Sequence, residues 1–225
     1  MKGDDMTEFR VDGRIVSGYI ALPESGKGPG VLVLHAWWGL NDFFKQVCER
    51  LAQVGFVAFA PDLYRGKIAT TIEEAQQLQT TLDSDEAVQD IVTAITYLRT
   101  QASPIGEKIG VVGFSMGGNF ALEMSTDDPA IVAVVTFYGT EQGSDYTTAK
   151  AAFLGHFGEQ DEWEPAESVA AMEQVLRAAN KDSTFYRYPG AQHWFFEENR
   201  SDVYDAEAAQ LAWDRTVAFL HRQLT

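Results

Sequence analysis

Short, nearly unbroken apolar runs alternate along this chain with longer stretches of helical period. The runs at 31–35, 56–60, 109–114, 131–137, 152–156 and 184–188 read as strands covered on both faces, because burial on both sides removes the polar alternation. The last run alternates more than the others and is expected nearer a sheet edge. Residues 41–54, 71–82, 85–100, 116–125, 165–179 and 201–224 carry helical periodicity. In the third of these Val88, Ile91, Val92, Ile95 and Leu98 form one stripe. Val169, Met172, Val175, Leu176 and Ala179 form another. Thr71 followed by Glu74 resembles a capping box, and Pro165 suits a first helical turn.

Strand and helix in alternation predict an α/β fold with a mainly parallel sheet of about seven or eight strands and helices on both faces. Residues 8–22, broken by Arg14 and Gly18, read as an antiparallel hairpin leading into it. No repeat or Pro/Ser-rich linker divides the 225 residues. A chain of this length is long enough for one core. The expectation is therefore one domain over 1–225, with room for an irregular opening segment over 1–13.

Composition changes this picture little. Hydrophobic content of 45% is ordinary for a globular chain. A formal charge of −16 with no compact basic run argues against binding nucleic acid or anionic lipid. No stretch approaches the roughly 20 apolar residues of a membrane span, and the acidic opening MKGDDMTEFRVDG lacks a signal-like apolar core, so a cytoplasmic location is expected. Cys48 is the one cysteine, which excludes an internal disulfide, and it shares a helical face with Phe44, Val47 and Leu51, as a buried thiol would. No glycine-rich pattern that would suggest a nucleotide site is found.

The chemistry is carried by Gly113-Phe114-Ser115-Met116-Gly117, a G-x-S-x-G motif lying between a predicted strand and a predicted helix. A side chain at either flanking glycine would collide in so sharp a turn, while the serine is lifted above the sheet. A serine hydroxyl is a weak nucleophile and needs a base, which in turn needs an orienting acid. The order of triad partners in α/β hydrolases, nucleophile then acid then base, selects His193 among four histidines. His35 and His156 read as strand-end residues and His221 as a surface residue. Asp161 follows the strand at 152–156 and is the preferred acid, with Glu159 and Glu162 as alternatives and helix capping as its other role. The amides of Met116 and of Trp37, in the loop after 31–35, are the expected oxyanion donors. His35, Ala36, Trp38 and Trp194 are candidate substrate-binding residues, with core packing as the alternative for the tryptophans.

Leu34-His35-Ala36-Trp37-Trp38-Gly39, Ala60-Pro61-Asp62-Leu63-Tyr64, Gly113 through Gly118, Gly158-Glu159-Gln160-Asp161 and Gly190-Ala191-Gln192-His193 together resemble the dienelactone hydrolase family. The resemblance runs from about residue 15 to 220. It implies an α/β hydrolase without a large cap that acts on ester or lactone carbonyls and needs no metal or organic cofactor, with Ser115, Asp161 and His193 as triad and Met116 and Trp37 at the oxyanion positions. Three departures stand out. The enzymes that give the family its name carry a cysteine where Ser115 lies and an activating glutamate where Ala36 lies. They also place a carboxylate-binding arginine where this chain has Glu197, which would repel an anionic substrate unless Arg65 or Arg200 compensated. Asp62 is expected to fix a turn. The expected activity is carboxylic ester hydrolysis through an acyl-enzyme. Lactone or dienelactone hydrolysis on the same triad is one alternative and a non-catalytic binding protein another; the expected state is a monomer or small homo-oligomer.

Overall fold

The structure is a computed structural model that describes residues 6–11, 13–102 and 108–225. The chain divides into two compact units, Met1–Glu107 and Lys108–Thr225.

In the first unit the strands β1 (Thr7–Val11), β2 (Arg14–Ala21), β3 (Gly30–Leu34) and β4 (Val57–Pro61) lie in the order β1-β2-β4-β3. The expected hairpin is β1 paired antiparallel with β2, Phe9 opposite Val16, so part of the segment allowed to be irregular is a strand. Residues 1–5 and 12 lie outside the described residues. β2 is antiparallel to β4, and β3 runs parallel to β4. Both β3 and β4 are buried along their whole length, which is why they read as continuous apolar runs.

Three helices accompany them: α1 (Asp42–Gln53), α2 (Ile72–Thr81) and α3 (Ser84–Gln101). Asn41 caps α1 by accepting from the Phe43 amide at 3.1 Å, and Thr71 with Glu74 closes the capping box that the sequence predicts. α1 turns Phe44, Val47, Cys48 and Leu51 inward. In α3 the stripe is displaced from its expected line: Val92 is 47% exposed, while Ala87, Ala94 and Thr93 are buried beside Ile91, Ile95 and Leu98. The buried side thus uses small residues that an apolar tally passes over.

The second unit is wholly parallel. β5 (Ile109–Phe114), β6 (Ile131–Phe137), β7 (Ala152–Gly158) and β8 (Ser183–Tyr188) lie side by side in chain order. β8 is the edge strand its alternation predicts. The helices of this unit are α4 (Met116–Asp127), α5 (Ala166–Ala178) and α6 (Ala206–Leu224). α6 begins later than residue 201 because Asp205 is its cap, accepting from the amides of Glu207 and Ala208 at 3.1 and 3.0 Å. Pro165 is likewise the cap residue of α5 rather than part of its first turn. Among the described residues the strands number eight and the helices six, and no helix is long and apolar enough to cross a membrane.

Two buried histidines are structural. His35, just beyond β3, offers Nδ1 to the Ala36 carbonyl at 2.7 Å and accepts the Leu63 amide at Nε2, 3.2 Å away, tying the exits of β3 and β4. His156 on β7 meets the Tyr188 hydroxyl through Nδ1 at 2.8 Å and Thr216 Oγ1 through Nε2 at 3.1 Å. Arg215 donates to that same Tyr188 oxygen at 3.1 Å, so the tyrosine gives its proton to Nδ1 and His156 is neutral. Burial is the main force lowering both pKa values, that of His156 to about 3.

Since the unfolded chain protonates near the ordinary histidine value while the folded chain stays neutral, stability is expected to fall as pH drops from about 6.5. The slope should approach 1.4 kcal/mol per pH unit for each buried histidine. Urea titrations between pH 7 and 4 check this, and His156→Gln should remove one share of the slope. Cys48, fully buried with its thiol pKa raised by that burial, is expected to resist a thiol reagent until the protein unfolds.

Candidate active site

The site is built at the carboxyl end of the parallel ladder in the second unit. β5 ends at Phe114 and α4 starts at Met116, leaving Ser115 alone to turn the chain; it does so at φ 49° and ψ −113°. A non-glycine residue in such a region costs on the order of 1–3 kcal/mol, so the surroundings must hold it. A Cβ on Gly113 would overlap the Gly117 carbonyl and lie 2.7 Å from the Gly118 Cα, and one on Gly118 would lie 2.5 Å from Thr136 Oγ1. The glycines are therefore dictated by contact.

Backbone and side-chain bonds pin the turn. The Ser115 amide donates to the Phe137 carbonyl at 2.9 Å. The Asn119 carboxamide, turned so that its nitrogen meets two carbonyls, donates to Ser115 O at 3.2 Å and Thr140 O at 3.1 Å. Asn119 has no motif to announce it; only its place one turn into α4 gives it that reach.

His193 Nε2 stands 3.1 Å from Ser115 Oγ, and His193 Nδ1 stands 2.7 Å from Asp161 Oδ2. Among the three acids considered, Asp161 is the one on the imidazole. Its other oxygen, Oδ1, accepts the amides of Trp163 and Glu164, both at 2.8 Å. One oxygen thus meets the imidazole and the other fixes the turn after β7; neither caps α5, whose cap residue is Pro165. Its side chain is 1% exposed and that of His193 6%, so the pair is shielded from water. Asp161 follows β7 and His193 follows β8, neighbouring strands in register.

The loop bearing His193 is fastened by aromatic residues. Phe196 packs 4.4 Å from Phe137 and 5.8 Å from Phe114, ring centre to ring centre, on the ends of β6 and β5. Burying such a ring contributes about 1.5–3 kcal/mol. Trp194 meets His193 edge to face at 4.8 Å and carries Arg200 over its face at 4.6 Å. It is 4% exposed, which makes it a wall of the imidazole rather than an open substrate surface. The exposed indole nearby is Trp163, at 47%, with its ring 6.5 Å from His193 and 5.5 Å from Trp194. Sequence reasoning passed over it, although its place two residues after the acid was the available signal.

Met116 opens α4, where amides point out of the helix end. His35, Ala36, Trp37 and Trp38 lie in the first unit directly after β3. Gly39, at φ 86°, closes that turn through its amide to the Ala36 carbonyl at 3.2 Å. His35 does not serve as a substrate-binding group: it is fully buried and both ring nitrogens are engaged as described. Asp62 fixes its turn as expected, accepting the amides of Tyr64 at 3.1 Å and Gly66 at 2.5 Å. Arg65 is held by Glu86 at 2.5 Å and Arg200 by Asp202 at 3.0 Å, so both make ion pairs within the chain.

Glu197 corrects a second expectation. It is fully buried and bonded at Oε1 to the Tyr138 hydroxyl, 2.8 Å away. Burial, the largest cause, pushes its pKa up to about 8, against smaller lowering by Tyr138 and Arg200. Near neutral pH the group is mostly uncharged and does not face solvent, so the expected repulsion of an anionic substrate has no basis in this geometry.

The arrangement of strands, helices and turn places the chain among α/β hydrolases, and a solved structure of a putative dienelactone hydrolase from Klebsiella pneumoniae superposes with a TM-score of 0.86 at 26% identity, covering 97% of this chain and 98% of its own. The sequence profile of the dienelactone hydrolase family matches residues 16–224, and the chain belongs to that family. Among curated relatives, Protein usf of Aquifex pyrophilus is 38% identical over 98% of this chain and 99% of its own length. A putative carboxymethylenebutenolidase of Aquifex aeolicus is 33% identical over 97% and 98%. The protein is accordingly a hydrolase acting on ester or lactone bonds.

Gly113→Ala is expected to displace the Ser115 turn, because its neighbour is backbone and cannot swing away. The variant should lose at least about 1–3 kcal/mol of stability, as for other strained or overpacked sites, measured by urea unfolding.

Proposed function

We propose that the protein cleaves carboxylic esters through an acyl-enzyme, with Ser115 as nucleophile, His193 as general base and then general acid, and Asp161 as its orienting partner. The observation that carries this reading is the pair of short contacts on one imidazole, 3.1 Å to Ser115 Oγ and 2.7 Å to Asp161 Oδ2, at a turn whose backbone is strained. With Nδ1–H donating to the carboxylate, Nε2 carries the lone pair that takes the Oγ proton as oxygen attacks the carbonyl. The imidazolium then protonates the leaving alcohol, and water repeats the sequence to release the acid. Buried Asp161 offsets the positive charge that appears on the ring.

The Met116 amide, next to the nucleophile, is the first proposed oxyanion donor. Trp37 is proposed as the second on the strength of the family resemblance and its place after β3. Each donor is worth roughly 2.7–4 kcal/mol in the transition state. No step draws on a metal or cofactor. Lactones are the second substrate class, favoured by the relative named for carboxymethylenebutenolide. With Arg65 and Arg200 in ion pairs, neutral lactones are expected to outrun carboxylate-bearing ones. A pocket retained only for binding would not require contacts running from Ser115 Oγ through His193 to Asp161.

Ser115→Ala should reduce hydrolysis of short p-nitrophenyl esters by roughly 10⁶ while leaving the circular dichroism spectrum unchanged, and Asp161→Asn by roughly 10⁴. A fluorophosphonate should label Ser115 alone. Full activity in a clean Ser115→Ala preparation would overturn the assignment, and absent labelling of folded protein would favour a binding role. Comparing a neutral lactone, an anionic lactone and an ester in one panel fixes the preference.

A further inference from the structure

We propose that Glu197 is a positioning residue for His193, acting through Tyr138, whose ring backs the imidazole. The inference rests on the triad reading above. Tyr138 follows β6, and its ring centre lies 4.8 Å from that of His193. Its backbone is at φ 41°, a conformation that needs support, and its amide is held by the His156 carbonyl at 2.8 Å. The far end of the side chain is held by Glu197 Oε1 at 2.8 Å.

Glu197 lies four residues beyond His193 on the same turn, where its amide donates to the Trp194 carbonyl at 2.9 Å and its carbonyl accepts the Arg200 amide at 2.9 Å. The contacts therefore close a circuit: the loop that carries the base reaches through Glu197 to the tyrosine that supports the base. With one hydrogen bond at Nδ1 the imidazole retains freedom to tilt. Tyr138 and Trp194, each with its ring centre 4.8 Å from that of His193, restrict it, the former only while the phenol is tethered.

A carboxyl group is a costly tether. Both Glu197 and Tyr138 are fully buried, and Glu197 Oε2 has no hydrogen-bond partner among the described residues. An apolar pair would fill the same space without burying polar atoms, so packing alone does not account for the pair. The carboxyl pKa of about 8 agrees with a protonated, uncharged tether at neutral pH. Among the described residues Asp161 remains the only carboxylate bonded to the ring.

Removing one partner orphans the other, so the double variant Glu197→Leu/Tyr138→Phe is the decisive one, with Glu197→Gln as the conservative rescue. For an ester substrate the double variant should lower kcat roughly tenfold to a hundredfold, the scale of a slightly misplaced catalytic group, with KM within about twofold. Glu197→Gln, whose amide oxygen still accepts from Tyr138, should recover kcat to within about threefold. The low-field proton resonance of the His193–Asp161 bridge should broaden in the double variant and persist in Glu197→Gln. A folded double variant with unchanged kcat and an unchanged resonance overturns the proposal, as does a change confined to KM. Wild-type protein without Ser115-dependent hydrolysis sinks the triad reading instead, and the resonance then still tests the brace.

Discussion

The geometry of the site depends on one hydrogen bond, that between His193 Nδ1 and Asp161 Oδ2. It joins two loops leaving neighbouring strands, fixes which imidazole nitrogen keeps its proton, and so leaves the other nitrogen able to accept from Ser115. The fold's contribution is register: β7 and β8 are parallel and aligned, so Asp161 and His193 emerge at the same end, and β5 delivers Ser115 there as well. Strain at Ser115 and burial of Asp161 are tolerable because the aromatic floor of Phe114, Phe137 and Phe196 does not yield.

Much of this was legible in the residues. Buried parallel strands betray themselves as apolar runs, and β5 and β6 lie at the very boundaries those runs suggest. The turn at Ser115 was legible because only glycine fits on either side of it, and chain order singled out the histidine that stands on its hydroxyl. Asp161 was legible as a preference only, since three acids follow β7 closely and a one-residue difference of loop path decides among them.

What escaped notice shares a physical cause: it depends on side-chain direction across distant segments. The role of Asn119 arises from a carboxamide reaching back to Ser115 and across to Thr140. Glu197 looked like a charge facing substrate because periodicity cannot tell an inward from an outward carboxyl in an irregular turn. His35 looked available for the same reason. Helix limits slipped where a capping side chain, as at Asp205, overrides an apolar pattern that would run on.

The indole of Trp163 gives the site a property of its own. Trp37, Trp38 and Trp194 are almost wholly enclosed, whereas this ring stands half in water a few ångströms from the base. A ligand that covers this ring is therefore expected to change its emission, giving the protein an intrinsic optical reporter that needs no attached dye.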